Sequence, residues 1–238
     1  MSKPVSKITP VVLLTRPLVQ AEEFRRMLGA KFQVVISPIV EIKYLDFSVC
    51  TGEHQTLVFA SRNAVTAAAR CMDLRGLNAI AVGDRTALAA SGQGMTSVSA
   101  GGNSDDLVAR VIAAGPTGKV LFFRGRHSRG DVAYRLKSVG IETDTVIAYD
   151  QVQRRLSAEA LELLKGDAPV IIPLFSPRSA ALVSSEVKES RAPLALVAMS
   201  KAVLDAWDGA NPAAEVVAAQ PNVQAMEKET LRLMRTWA

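Results

Sequence analysis

The feature that most constrains the fold is an internal repeat of strand-like and helix-like segments. The segment VVLLTRP matches KVLFFRG. Each is followed by a helix-like run and then by a strand-like segment, FQVVIS after the first and TDTVIAY after the second. TLVFASRNAV matches VIIPLFSPRSAALV, and AIAVGDRTALAA matches ALVAMSKAVLDAW. Within the second pair, FASRN at residues 59–63 is predicted to correspond to FSPRS at residues 175–179. The chain is therefore expected to consist of two similar halves.

The strand-like segments number nine or ten and are short, apolar runs without alternation, separated by helix-like segments. Strands of this kind are buried on both faces, which is typical of parallel sheets covered by helices. The sequence therefore predicts an α/β fold with two similar domains, each a parallel sheet flanked by helices.

The order of the repeated segments predicts how the domains share the chain. One strand–helix unit comes first, a complete set follows, and the remainder of the other set comes last. We therefore expect a discontinuous first domain of residues 1–38 plus 150–238 and an inserted second domain of residues 43–146. Connecting strands at 38–43 and 146–152 would form a hinge with a cleft between the domains.

Charge and composition limit the classes of partner. The net charge is +5, and arginine contributes 18 of the 28 basic residues. A basic surface suits anions, but no run of Lys or Arg exceeds two and no aromatic residues interleave with them. This argues against nucleic acid. No apolar run approaches the ~18–20 residues that cross a bilayer, so we expect no membrane partner. The only cysteines, Cys50 and Cys71, predict reduced thiols and a cytoplasmic location.

Several familiar cofactor motifs are missing. No G-x-G-x-x-G follows a strand, and GPTGKV leads into a strand rather than into the helix that a phosphate-binding loop requires. His54 and His127 have no Cys or carboxylate at ligand spacing, which makes a metal site improbable. We expect neither a metal nor a cofactor.

Polar residues follow several predicted strands, at the sheet edge where open parallel sheets bind ligands. Where such a residue opens a helix, free backbone N–H groups and the helix dipole favour anions. Hydroxyls, amides and guanidiniums at these corners form a donor set suited to carboxylates. Simple helix capping is the alternative for any single corner. The candidate ligand residues are Arg16, Ser61, Asn63, Gly83, Thr86, Arg124, Ser176, Ser179 and Ser200. Three corners are predicted at residues 61–63, 176–179 and 83–86. A fourth is predicted at Gly102-Asn103-Ser104, with Ser104 as the N-cap of the next helix.

Tyr149 lies in VIAYDQV, inside one predicted connecting strand. A phenol at this position would face the cleft and could donate a hydrogen bond to a ligand. An ordinary strand aromatic is the alternative interpretation.

The motifs LLTRP, FASRNAV, AVGDRTA, LFFRG, VIAYDQV and FSPRSA occur in that order. Together they resemble the uroporphyrinogen-III synthase family over nearly the whole chain. The resemblance implies two α/β domains joined by a two-stranded β ladder, with the active site in the cleft. It implies a cyclising lyase of porphyrin and haem biosynthesis that closes hydroxymethylbilane, a linear tetrapyrrole polycarboxylate. The enzyme inverts the terminal pyrrole ring, releases water and needs no cofactor.

The resemblance also implies roles for individual residues. Tyr149 matches the family's cleft tyrosine and is predicted to assist departure of the substrate hydroxyl. Thr86 matches a cleft threonine, and four further residues match positions lining the cleft: Ser61, Asn63, Ser176 and Ser179. Arg16 and Arg124 match the family's arginines at the two equivalent strand ends, where a role in the hinge is the alternative. In the second-half corner VAMSKAV, Ser200 replaces the family's glycine and Val203 replaces its threonine, which is a departure from the pattern.

We expect a monomer that makes transient contact with the enzyme preceding it in the pathway. The alternative from another class is a two-domain hinge protein that binds an anionic metabolite without changing it. Formation of the inverted product distinguishes the two.

Overall fold

The structure, a computed structural model, describes residues 9–49, 52, 54–128 and 130–237. The chain divides into two units. Unit 1 comprises Met1–Glu41 and Gln153–Ala238, and unit 2 comprises Ile42–Val152. Unit 1 is therefore built from two chain segments, because unit 2 is inserted between them.

Unit 1 contains a five-stranded parallel sheet in the order β11-β10-β9-β1-β2. Its central strands β9 and β10 are buried at every position, as expected for short apolar runs covered on both faces. The strands are β1 (Val11–Leu14), β2 (Val34–Ile36), β9 (Val170–Leu174), β10 (Leu194–Ala198) and β11 (Ala214–Val217).

Helices cover both faces of the unit 1 sheet. On one face lie α1 and α9, which contribute buried residues such as Phe24 and Met226. On the other face lie α6, α7 and α8, with residues such as Leu164 and Val183 in the core. The helices are α1 (Leu18–Leu28), α6 (Ala158–Lys165), α7 (Pro177–Glu186), α8 (Lys201–Leu204) and α9 (Val223–Thr236).

Unit 2 contains a sheet in the order β3-β8-β7-β4-β5-β6. Five of its strands are parallel, and β3 runs antiparallel to β8 because Leu45 N–H bonds to Ala148 while Arg154 N–H bonds to Ile39. Both β3 and β8 cross from one unit into the other. The strands are β3 (Val40–Tyr44), β4 (His54–Phe59), β5 (Asn78–Ala81), β6 (Thr96–Ser99), β7 (Lys119–Gly125) and β8 (Thr143–Gln153).

Helices cover the unit 2 sheet in the same way. On one face, α2 and α3 pack through small residues such as Ala68 and Ala90. On the other face, α4 and α5 contribute larger residues such as Leu107 and Leu136. The helices are α2 (Arg62–Cys71), α3 (Asp84–Ser91), α4 (Ser104–Ala114) and α5 (Val132–Ser138).

The two sheets confirm the predicted fold class of two similar α/β units. By the repeat, β1, β2, β9, β10 and β11 correspond to β7, β8, β4, β5 and β6, and the spatial order of these five strands is the same in both sheets. The described residues contain eleven strands rather than nine or ten, since β3 is a strand in its own right.

Two local sequence predictions are wrong. The N-cap of α4 is Asn103 instead of Ser104, because the Asn103 side chain accepts the N–H groups of both Asp105 and Asp106, at 2.8 and 2.9 Å. The repeat between FASRN and FSPRS is displaced by one residue, because Ser61 and Ser176 are both N-caps and so correspond to each other. Ser179 therefore corresponds to Ala64 and not to Asn63.

Of the two predicted thiols, the structure describes one. Cys71, at the end of α2, is a free thiol that is half-buried. Cys50 lies outside the described residues.

Candidate active site

In both sheets the strand order reverses at one point, and open α/β sheets bind ligands in the crevice at this point. The reversal lies between β1 and β9 in unit 1 and between β7 and β4 in unit 2. Arg16 follows β1 and Ser176 follows β9, whereas Arg124 is the last but one residue of β7 and Ser61 follows β4. Four of the candidate residues therefore flank the two crevices, one pair in each unit.

The Ser61 side chain is held by two hydrogen bonds within unit 2. Its Oγ accepts the Ala64 N–H at 3.2 Å, so Ser61 caps α2, and its hydroxyl donates to Tyr149 Oη at 2.9 Å. Asn63 lies half-buried in the first turn of the same helix. Ser61 therefore caps the helix and contacts the phenol at the same time.

A bulge in β8 brings Tyr149 to this position. The register with β7 runs Arg124 with Ile147 and then Gly125 with Tyr149, so Ala148 is an extra residue. Side chains of a regular strand alternate between faces, yet Ala148 and Tyr149 both belong to the core that α2 covers. The bulge therefore turns the phenol to the side of the sheet where Ser61 lies.

The phenol of Tyr149 is buried, with 6% of the residue exposed. This burial raises the pKa of Tyr149 above its ordinary value of 10.0, while the hydrogen bond from Ser61 lowers it by a smaller amount. The phenol is therefore protonated at neutral pH. Because Oη accepts from Ser61, its own proton is available, and no residue in the described part of the chain accepts it.

Gly125 lies directly against the ring of Tyr149. A Cβ atom at this glycine would be 2.6 Å from Tyr149 Cζ and 2.9 Å from Oη, far inside contact distance. The glycine is required by the ring and not by the backbone, since its φ lies outside the positive range. Sequence reasoning missed this residue, although a glycine ending the buried run LFFR was the available signal.

The Arg124 guanidinium supports the loop after β7. Its Nη1 donates to the carbonyls of Gly125 and Arg126 at 3.2 and 3.3 Å, and to the Ser128 hydroxyl at 2.8 Å. One nitrogen of the predicted carboxylate ligand is therefore engaged in shaping the strand end beside Tyr149.

The corner between β5 and α3 brings together Gly83 and Thr86. Gly83 is the N-cap of α3 in an extended conformation and makes no side-chain cap. A Cβ atom at Gly83 would be 3.2 Å from Gly102 Cα, so this glycine permits a close approach of the next corner. Thr86 is buried in the first turn of α3, with 5% of the residue exposed.

In unit 1, an aromatic ring positions the candidate arginine. The guanidinium carbon of Arg16 lies 3.8 Å from the centroid of the Phe175 ring. Phe175 in turn contacts Phe24 edge-on, with centroids 5.2 Å apart. The stacking holds the charge of Arg16 beside the Ser176 corner at a partly exposed site.

The two serine corners of unit 1 differ from each other. Ser176 caps α7 by accepting the Ser179 N–H at 3.1 Å and donates its own proton to Ser179 Oγ at 2.9 Å. Ser200 is the N-cap of the four-residue α8 and makes no side-chain cap. The buried Val203 in α8 occupies the position that corresponds to Thr86 of unit 2. This corner of unit 1 therefore has no threonine hydroxyl.

None of the helices in the described part of the chain is long and apolar enough to cross a membrane. The described residues contain no group of three His, Cys, Asp or Glu side chains placed to hold a metal ion.

Comparison with known proteins identifies the family. The family model described as "Uroporphyrinogen-III synthase HemD" matches residues 22–228. A uroporphyrinogen-III synthetase structure from Helicobacter pylori superposes with a TM-score of 0.67 at 14% identity, covering 94% of this chain and 99% of that one. A mutant uroporphyrinogen III synthase from Thermus thermophilus gives 0.50 at 15% identity, with 95% and 99% covered. A search of curated proteins found no match. The chain belongs to the uroporphyrinogen-III synthase family, whose members are cyclising lyases of haem biosynthesis.

Proposed function

We propose that this chain closes hydroxymethylbilane to uroporphyrinogen III, with Tyr149 donating a hydrogen bond to the hydroxyl that leaves as water. Family membership supports the reaction. One observation supports the role of the tyrosine: Oη accepts from Ser61 and its own proton has no acceptor among the described residues. The protonated phenol can therefore donate a hydrogen bond to a bound ligand.

Departure of the substrate hydroxyl requires one well-placed hydrogen-bond donor rather than a strong acid. Loss of the hydroxyl leaves a cation that the pyrrole ring itself stabilises. Because burial raises the pKa of Tyr149, the phenol keeps its proton and only donates a hydrogen bond to the departing hydroxyl. The C–O bond breaks to leave the pyrrole cation and hydroxide, and the proton that the terminal pyrrole carbon loses when the ring closes converts the hydroxide to water. Removing one preorganised hydrogen-bond donor of this kind costs ~10²–10³-fold in kcat.

The second task is to hold a flexible polycarboxylate so that its two ends meet. Orienting reacting groups in this way supplies ~7–11 kcal/mol of the barrier reduction. We infer that Arg16, held on the Phe175 ring, is a carboxylate ligand in unit 1. In unit 2 the uncapped N-terminus of α3, beside Gly83 and Thr86, offers N–H groups to another carboxylate. Asn63, Arg124, Ser176, Ser179 and Ser200 are the remaining proposed contacts.

The test is to supply the purified chain with freshly prepared hydroxymethylbilane and to separate the product isomers. We expect isomer III, whereas spontaneous closure yields the symmetric isomer I. A product consisting of isomer I alone would refute the proposed function. The alternative, a hinge protein that binds an anionic metabolite unchanged, is not favoured by the family match.

The variant Tyr149→Phe tests the role of the phenol. We expect kcat to fall by ~10²-fold or more, while the unfolding free energy changes by only about 0.5–1.5 kcal/mol, the net value of one hydrogen bond. Stopped assays and urea denaturation measure the two quantities. A variant with the kcat of the wild type would remove Tyr149 from the mechanism.

The remaining parts of the proposal concern the cellular location of the chain, its oligomeric state and its partner enzyme. We infer a cytoplasmic monomer that takes its unstable substrate during transient contact with the enzyme that makes it. The cysteine content and the family's place in haem biosynthesis support this inference. Size-exclusion chromatography with light scattering tests the monomer.

A further inference from the structure

The two equivalent serine corners use their hydroxyl protons differently. Each serine caps a helix by accepting the N–H three residues later, Ser61 from Ala64 and Ser176 from Ser179. In unit 1 that third residue has a hydroxyl, which takes the proton of Ser176 at 2.9 Å. In unit 2 it is an alanine with no acceptor on its side chain, and the proton of Ser61 goes to Tyr149 Oη, also at 2.9 Å.

We propose that Ser61 is a positioning residue for Tyr149 rather than a ligand of the substrate: its hydroxyl occupies an accepting site of the phenol and thereby directs the phenol's proton to the substrate. The inference rests on the proposed function, because it assigns Ser61 a role in that reaction. It replaces the expectation from the family pattern that Ser61 contacts the substrate itself.

The hydrogen-bonding capacity of the two hydroxyls supports this assignment. A serine hydroxyl has one proton and two lone pairs. The proton of Ser61 is used on Tyr149, and one lone pair is used on the Ala64 N–H. Ser61 therefore has no proton left for a substrate carboxylate. Tyr149 Oη, by contrast, still has its proton, and that proton must point away from Ser61.

Three features fix the phenol where Ser61 can act on it. The bulge at Ala148 turns the ring to this side of the sheet. Gly125 leaves room for the ring to lie against the backbone of β7. The Ser61 hydroxyl then sets the rotation of the phenolic O–H. The first two features place the ring, and only the third decides where its proton goes.

The experiment compares Ser61→Ala and Ser61→Thr with the wild type and with a matched control, Ser157→Ala. Ser157 caps α6 with the same donor–acceptor distance, accepting the Ala160 N–H at 3.2 Å, but it lies in unit 1 and makes no hydrogen bond to a tyrosine of the described residues. Both alanine variants lose one helix cap, so their thermal midpoints should fall comparably. Only Ser61→Ala should change the hydrogen bonding and the pKa of Tyr149.

Two readouts separate positioning from stability. Steady-state kinetics give kcat and KM, and NMR of protein labelled with carbon-13 at tyrosine Cζ follows the titration of Tyr149, assigned with Tyr149→Phe. Ser61→Ala should lower kcat at least about tenfold, leave KM nearly unchanged and raise the pKa of Tyr149, since the donated hydrogen bond is lost. Ser61→Thr should restore both kcat and the pKa.

The outcomes distinguish this proposal from the proposed function. If the wild type makes isomer III but Ser61→Ala matches Ser157→Ala in kcat and in the pKa of Tyr149, the positioning role is wrong and the function stands. A rise in KM with unchanged kcat would make Ser61 a substrate ligand and would also overturn the proposal. If the wild type makes only isomer I, the proposed function fails together with the positioning role assigned within it, whatever the titration shows.

Discussion

Replacing Gly125 by alanine is the most direct perturbation of the proposed active site. The added Cβ would be 2.6 Å from Tyr149 Cζ, 2.8 Å from Cε2 and 2.9 Å from Oη. Non-bonded carbon atoms prefer separations of about 3.5–4.0 Å. The ring must therefore retreat by about 1 Å, and the retreat stretches or breaks the 2.9 Å hydrogen bond from Ser61.

The magnitude follows from this displacement. A misplacement of about 1 Å in a reacting constellation costs about a hundredfold in rate. Overpacking a buried site costs about 1–3 kcal/mol of unfolding free energy. We therefore expect Gly125→Ala to remain folded, since domains of this kind are stable by ~5–15 kcal/mol, and to lose about a hundredfold in kcat.

The assay measures kcat for isomer III formation alongside the urea unfolding free energy. Gly92→Ala is the control, because Gly92 has φ −63° and a Cβ there would be an ordinary 3.4 Å from Leu88 O. The double variant Gly125→Ala with Tyr149→Phe should be no slower than Tyr149→Phe alone, since both changes act on the phenol. A Gly125→Ala variant with wild-type kcat would refute the argument that the ring position matters.

Three further predictions concern neighbouring features. Thr86→Val imitates the buried Val203 of the other unit, so the fold should tolerate it while kcat/KM falls, measured by urea denaturation and steady-state kinetics; unchanged kcat/KM would place the hydroxyl outside the site. Phe175→Leu removes the surface on which Arg16 stacks and should raise KM about two- to fivefold, measured by steady-state kinetics, with kcat little changed. Because burial raises the pKa of Tyr149 in the folded state, its contribution to stability is complete below the unfolded value of about 10 and is lost as pH rises towards the folded pKa. Urea denaturation at increasing alkaline pH should therefore show a steeper loss for the wild type than for Tyr149→Phe.

The fold could be predicted because its signals are local and repeated. Unalternating apolar runs such as Val170–Leu174 identify strands that are buried on both faces. The duplicated order of segments then supplies the strand order, which no single run contains. Candidate residues were found for the same reason, since the edge of a parallel sheet where the strands end is fixed once the strands are known.

Predictions failed where two neighbouring residues competed for one role. At the start of α4, both Asn103 and Ser104 are good caps, and the amide prevails because its oxygen reaches two N–H groups. In the FASRN and FSPRS motifs, the shared phenylalanine suggested one alignment, whereas the helix caps require Ser61 and Ser176 to match.

The burial of Tyr149 beside Ala148 was beyond sequence reasoning for a different reason. A period of two places neighbouring residues of a strand on opposite faces. The bulge depends on pairing with β7, and Gly125 admits the ring there; both are properties of a partner strand distant from Tyr149 in the chain.

The duplicated architecture explains how one pattern of folding supports two kinds of site. Strand order and capped helix starts are common to both units, so each unit has hydroxyls and N–H groups at its crevice. Single residues then give the two serine corners different hydrogen-bond partners. Ser179 takes the proton of Ser176, whereas Ala64 leaves the proton of Ser61 for the phenol. Under the proposed function, the hydrogen bond to the departing hydroxyl is therefore donated from unit 2, whereas both units contribute anion-binding groups.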